Sequence, residues 1–376
     1  MLLWSRDAVA PPDLSKITHH TYFRGRVALA EILKGLGVGR GDLVALQAFT
    51  CVAVPEAIMS IGAVPVWVDV EKQSVNMSAN SLLSVWDENI KAVVVQHTFG
   101  VMADIEAIER AVAGRVPIIE DCCHTFFSSL NGKFAGEFGI ASFYSFEWGK
   151  PLVIGAGGAA VTSDIDLNIE LAKRKDTFQL PQISQRIKLS LQAVVFKFLY
   201  RPQFYWPLKA AFSKLSRSGL AVGNYNPIGS DADLSDDFRT KMHPRAERIL
   251  EMKLTYMEKD SVRRKKLASD YQSVLDSLDN HNLINRHNGS DNVLVRFPIL
   301  VADKSAFIIK AMNNNIEVAD WYSSPVHPLQ GTDLKAVGYK SGSCPNAEEL
   351  TNHLVSFPMG ETVNASFLKK VGQVLA

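Results

Sequence analysis

A chain of 376 residues with 47% apolar and 21% charged positions is long enough for a large core. That composition excludes disordered, collagen-like and disulfide-scaffold proteins. The 40 Lys and Arg balance 39 Asp and Glu, a formal charge of +1, so no electrostatic footprint for nucleic acid is present. Cys51, Cys122, Cys123 and Cys344 show no metal-ligand spacing, and reduced thiols in a cytoplasmic protein without a metal site are expected.

The start, "MLLWSRDAVAPPDLSK", lacks a basic region followed by an apolar core, so neither signal peptide nor anchor is expected. "GRVALAEILKGLG" (Gly25–Gly37) places Val27, Leu29, Ile32, Leu33 and Leu36 at helical spacing and closes on glycine. "DLVALQAF" (Asp42–Phe49) reads as a buried strand and "CVAVPEAIMSIGA" as a helix with Pro55 near its first turn. Strands are expected at Val64–Val70, Lys91–Gly100 and Val116–Asp121, with a helix at Asp104–Gly114. "ASFYSF" and "GGAAVTS" supply two more strands. Continuous apolar strands alternating with helices predict an α/β fold, a mostly parallel sheet covered on both faces.

Beyond about residue 165 the pattern changes. Arg186–Leu220 is apolar, aromatic and basic, broken by Pro202 and Pro207, and Gly219–Asp237 is a glycine- and acid-rich linker. His243–Leu278 reads as one long charged helix. "NVLVRFPILV" (Asn292–Val301), a helix in "DKSAFIIKAMNNN", strand-like "IEVADWY" and a last helix near Ala365–Val374 make a smaller α+β unit. We place the boundary near residue 240: a large domain over 1–240, carrying the aromatic-basic insertion at about 186–220, and a small domain over 241–376.

Chemistry concentrates at strand ends, where open parallel sheets bind ligands. Asp121 closes the strand "VPIIED". Lys150 follows "ASFYSF" in a stretch otherwise apolar and small, between Gly149 and Pro151. A carboxylate and a lysine at neighbouring strand ends suit pyridoxal phosphate, which needs a Schiff-base lysine, an acid on the pyridinium nitrogen and a cradle for its phosphate. Ser145 and the backbone at Gly25, Arg26 and Val27, where a helix starts, could supply the cradle. Taken singly, such a lysine is more often a snorkelling or ion-paired structural residue, and such an aspartate is often a helix cap.

The ordered set of motifs resembles the DegT/DnrJ/EryC1/StrS sugar aminotransferases, which are fold-type-I pyridoxal phosphate enzymes. "IIEDCCH" matches the acidic strand end followed by His, giving Asp121 and His124. "NGKFAGEFGIASF" matches a short hairpin, "SFEWGK" the Ser-Phe-x-x-x-Lys segment (Ser145 to Lys150), and "GAGGAAVTSD" the glycine pair and strand after it. "GVGRGDLVALQAFTCVAVPEAIMSIGAVPVWVDVEKQSVNM" and "VVVQHTFGVMADIEAI" match upstream segments. The likeness is dense over about residues 20–165 and looser beyond, through "YSSPVHPL" and "VSFPM".

The resemblance implies pyridoxal 5'-phosphate as cofactor and Lys150 as the catalytic lysine. It implies cofactor contacts from Asp121, His124, Ser145, Gly25, Arg26, Val27 and Cys51. It further implies an amino-acid donor, glutamate or glutamine, a keto-sugar acceptor that is nucleotide-linked, a role in amino-sugar or surface-polysaccharide synthesis, and a homodimer sharing its active sites. Some members with histidine in place of the lysine are dehydratases, and Lys150 argues for transamination. The chain departs from the pattern at "RGR" (Arg24–Arg26), where Ser-Gly-Thr is usual, at Cys51, where an aromatic ring is common, and at Pro151. A segment reaching a neighbour's phosphate has no clean counterpart; Asn224, Asn226 and Arg239 are candidates. His97, Tyr322 and His327 are either pocket residues or packed ones. The alternative is a membrane-peripheral, non-catalytic partner in polysaccharide assembly that uses the aromatic-basic segment. Lyase or desulfurase chemistry on the same fold is a third reading.

Overall fold

The computed structural model describes residues 12–199, 205–208, 210–211, 236–278, 284 and 287–376. Much of the aromatic-basic segment and nearly all of the linker, with Asn224 and Asn226, lie outside the described residues.

A seven-stranded sheet organises the molecule. Its strands are β1 (His20–Tyr22), β2 (Leu43–Gln47), β4 (Val64–Val68), β5 (Ile90–Gln96), β6 (Ile118–Asp121), β9 (Ala141–Ser145) and β10 (Gly158–Thr162). They lie in the order β1-β10-β9-β6-β5-β2-β4. From β9 to β4 every pairing is parallel, and β10 and β1 are added antiparallel at one edge. The α/β reading holds. Strand β1, only three residues long, carries too little pattern to be read from sequence.

Helices α1 (Gly25–Gly35), α2 (Ala53–Ser60), α3 (Ala79–Ser84), α4 (Ile105–Val112) and α5 (Ile165–Lys175) surround the sheet. Helix α1 is buried from Gly25 through Leu33, so its start is locked between α2, β9 and β10. The short strands β7 (Ser129–Leu130) and β8 (Lys133–Phe134) form the expected hairpin, and β11 (Ser290–Asp291) pairs with β7. The hairpin turn, Asn131-Gly132, has positive φ at both positions, the geometry that matches strand twist.

The remaining chain departs from the sequence reading in two places. The helical stretch His243–Leu278 is two helices, Pro244–Leu254 and Met257–Asp276. The break lets one segment serve two apolar clusters: Leu250, Leu254 and Met257 enter one, and Leu267, Tyr271 and Leu275 the other. "IEVADWY" is not a strand; only Ala319 bridges, to Ser356. The buried Lys304 ammonium takes the carbonyls of Asp320 and Tyr322, with that of Thr351, so those groups are spent on a cation. Strands β12 (Arg296–Leu300) and β14 (Leu354–Pro358) pair antiparallel. A two-residue strand, β13 (Val326–His327), pairs in parallel with β3 (Thr50–Cys51) and brings the tail of the chain to the ends of the central strands.

Candidate active site

A cavity opens at the carboxyl ends of β5, β6 and β9, as the parallel sheet requires. Asp121, Ser145, Lys150, His124, Cys51, Gly25 and Arg26 all line it, so seven of the eight cofactor residues expected from sequence meet in one place. Val27 does not. Its side chain is fully buried in the core and its N–H is bonded to the Arg24 carbonyl at 3.2 Å, because a residue one turn into a buried helix faces the sheet.

Parallel pairing sets the floor. Asp121 stands opposite Gln96 on one side and Phe143 on the other. Its carboxylate accepts the Cys123 N–H at 3.0 Å. Burial pushes its pKa up, opposed by the nearby Lys150 and the Cys123 hydrogen bond. Lys150 follows the turn Glu147–Lys150. Gly149 has φ +84°, and a Cβ there would lie 2.5 Å from the Trp321 ring, so glycine lets that indole pack against the turn.

His124 joins these groups. Its Nδ1 accepts the Phe99 N–H at 3.1 Å. A backbone N–H can only donate, so in the neutral ring Nε2 carries the hydrogen. Nε2 lies 3.1 Å from Lys150 Nζ. Burial, and then the Lys150 charge, holds the His124 pKa well below its usual value. The imidazole stacks on Trp321, with centroids 6.0 Å apart and planes 7° apart.

The altered phosphate-loop segment resolves into three ion pairs. Arg24 is buried and bonds Glu147 at 2.6 Å and Asp237 at 2.5 Å. Arg26 faces the cavity with its guanidinium engaged by Glu56; it is neither solvated nor an isolated positive charge. Gly25 presses onto β9: a Cβ there would fall 2.9 Å from Ser145 Cβ. Helix α1 has no side-chain cap on its first turn, so its leading N–H groups and positive dipole end lie beside the Ser145 hydroxyl. Cys51 is half-buried in the wall, and burial raises its thiol pKa, which leaves a neutral thiol.

Tyr322 and His327 also line the cavity. His97 does not. It is fully buried, its Nδ1 accepts the Ala103 N–H at 3.2 Å, and its Nε2 meets Glu120 at 3.0 Å. Both ring nitrogens are therefore spent on structure. Arg239 is exposed and away from the cavity lining. Sequence reasoning missed Trp321, Trp148 and Gln96, which line the wall. Trp148 lies inside "SFEWGK", and the other two each adjoin a residue already singled out.

A parallel sheet of this order, with a lysine and a carboxylate facing one cavity at its strand ends, defines a fold-type-I pyridoxal phosphate-dependent transferase. The chain belongs to the DegT/DnrJ/EryC1/StrS aminotransferase family, whose model matches residues 21–187 and 212–376. It is 27% identical over 340 residues to a pleiotropic regulatory protein of Geobacillus stearothermophilus, covering 89% of this chain and 78% of that one. It is 36% identical over 145 residues to the GDP-perosamine synthase of Escherichia coli O157:H7, a match spanning 38% of this chain and 40% of that relative's length. The aminotransferase of Psychrobacter cryohalolentis has the same fold, with TM-score 0.73 and 18% identity over 94% of this chain and 85% of that structure.

Members of the family depend on pyridoxal 5'-phosphate, and the residues here fit it. A buried carboxylate with one backbone donor has capacity left for a pyridinium N–H. The uncapped start of α1 beside Ser145 suits a phosphate.

Among the described residues no helix is long and apolar enough to cross a membrane.

Proposed function

We propose that this protein transfers an amino group from glutamate or glutamine to a nucleotide-linked keto-sugar, in amino-sugar or surface-polysaccharide synthesis. The observation that carries the reading is the approach of Lys150 Nζ to His124 beside the buried Asp121 carboxylate. When bound, pyridoxal phosphate supplies an electron sink for the substrate's α-carbon. Asp121 would hold the proton on the pyridine nitrogen, Ser145 and the first N–H groups of α1 would hold the phosphate, and Lys150 would carry the proton at the reacting carbon. His124 positions the Lys150 amine and, with Trp321, covers the cavity. The name GDP-perosamine synthase, borne by a relative 36% identical over 145 residues, supports a nucleotide-linked amino sugar as product.

The enzyme works in the cytoplasm as a homodimer, with the large domain ending near residue 240. The test is direct. Incubation with L-glutamate or L-glutamine and a set of nucleotide keto-sugars yields, for one of them, a product in which NH2 and H replace the carbonyl oxygen, read by mass spectrometry. Wild-type protein that takes up cofactor yet aminates no sugar, while converting another class of carbonyl compound, contradicts the substrate assignment.

A further inference from the structure

Helix α6 (Ile183–Leu199) is the odd element of the surface. A surface helix normally turns its apolar stripe to the core. Here an apolar stripe also faces outward. Ile183, Ile187, Leu191 and Val194 are 71%, 63%, 64% and 53% exposed. At 3.6 residues per turn these four fall within an arc of roughly 80°. The opposite side, which meets the protein, carries the buried Gln192 with the half-buried Gln185 and Leu189. Arg186 and Lys188 flank the apolar stripe, one on each side.

The helix is fixed in place. Gln185 reaches Asp237 at 3.4 Å, and Asp237 holds Arg24 ahead of α1. The outward stripe is therefore a property of a tethered helix, and its second half runs into residues 188–211, between the two stretches that the family shares.

Charge identifies what the stripe meets. From Thr177 to Ser230 the sequence holds seven Lys or Arg and no Asp or Glu, although the whole chain is balanced at 40 to 39. We propose that α6 docks this protein on the surface of an anionic lipid bilayer, with the Ile183–Val194 stripe entering the headgroup boundary and Arg186 and Lys188 reaching lipid phosphates. Apolar stripes edged by basic residues bind such surfaces in this way. Nucleic acid would answer the charge but not the bare aliphatic stripe. A symmetry-related copy would answer the stripe, but it would set basic segment against basic segment wherever the two helices met.

The proposal is independent of the transamination reading. Its test uses the full chain loaded with pyridoxal phosphate and vesicles of phosphatidylcholine, with or without phosphatidylglycerol. Wild type sediments with the anionic vesicles only, and added salt releases it. The double substitution Ile187→Ser with Leu191→Ser weakens vesicle binding by about tenfold or more. Lys188→Glu weakens it about tenfold and flattens the salt dependence. Far-UV dichroism, cofactor absorbance and turnover in solution are unchanged, which separates lost docking from lost folding. Failure of wild type to bind anionic vesicles overturns the proposal, and so does equal binding to neutral ones. A double variant that binds vesicles normally but sediments as a smaller oligomer also overturns it and makes the face a subunit contact.

Discussion

Adjacent carboxylates on β6 face opposite sides of the sheet and have opposite fates. Glu120 is completely buried and meets four donors: His97 at 3.0 Å, and the N–H groups of Gly136, Phe138 and Gly139 at 2.8, 2.7 and 2.8 Å. Asp121, next in sequence, accepts one backbone N–H and lines the cavity. The first is a bolt, tying β5 and the hairpin loop to the sheet. The second is a buried anion held with capacity to spare, which costs stability until a ligand answers it. The carboxylate proposed to meet the cofactor differs from its neighbour in this spare capacity.

Substitutions test that contrast, and the largest effect falls on the lysine beside Asp121. Lys150→Ala abolishes the visible cofactor band and lowers amino transfer by about ten-thousandfold, measured as product formed from a keto-sugar. Glu120→Gln places an amide among donors that need an anion. It lowers unfolding stability by about 3 kcal/mol, read by urea denaturation, while cofactor affinity in the folded fraction stays near wild type. Asp121→Asn does the reverse. It weakens cofactor binding about tenfold to a hundredfold, and it leaves the cofactor-free protein as stable as wild type or more so, because a buried charge is gone. Gly25→Ala forces α1 off β9 and costs about 1–3 kcal/mol, with weaker phosphate retention seen as faster loss of cofactor on dialysis.

The smallest effect is a pH slope. His124 has a lowered folded pKa, so below its unfolded value of about 6.5 the unfolded chain takes up the proton first and stability falls with pH. Asp121 has a raised folded pKa, so the folded state takes up a proton first and stability rises as pH falls through that range. The two oppose each other. In thermal melts of the cofactor-free protein between pH 7 and 5, His124→Gln flattens the loss on acidification, whereas Asp121→Asn steepens it toward the acid end.

Much of the fold was legible because the strands are apolar runs punctuated by glycine, and a parallel sheet brings strand ends together whatever the loops do. Asp121, Lys150 and Ser145 were legible for the same reason. Val27 was misplaced because adjacency to a helix start does not tell which way a side chain points. Trp321 was missed because its position depends on β13 reaching β3 and on Gly149 leaving room, which are contacts between distant segments. The ion pairs of Arg24 with Glu147 and Asp237 were unreadable for that reason too. The outward stripe of α6 was visible as composition but not as orientation, since burial of Gln192 is a tertiary fact.

The central claim is that Lys150 and Asp121 form one pyridoxal phosphate site, and an absorbance titration of the purified protein with the cofactor tests it most directly. The account predicts a visible band in wild type that bleaches on adding L-glutamate or L-glutamine, a band at higher cofactor concentration in Asp121→Asn, and none in Lys150→Ala. A wild-type band that persists in Lys150→Ala, or none in wild type at any cofactor concentration, would contradict it.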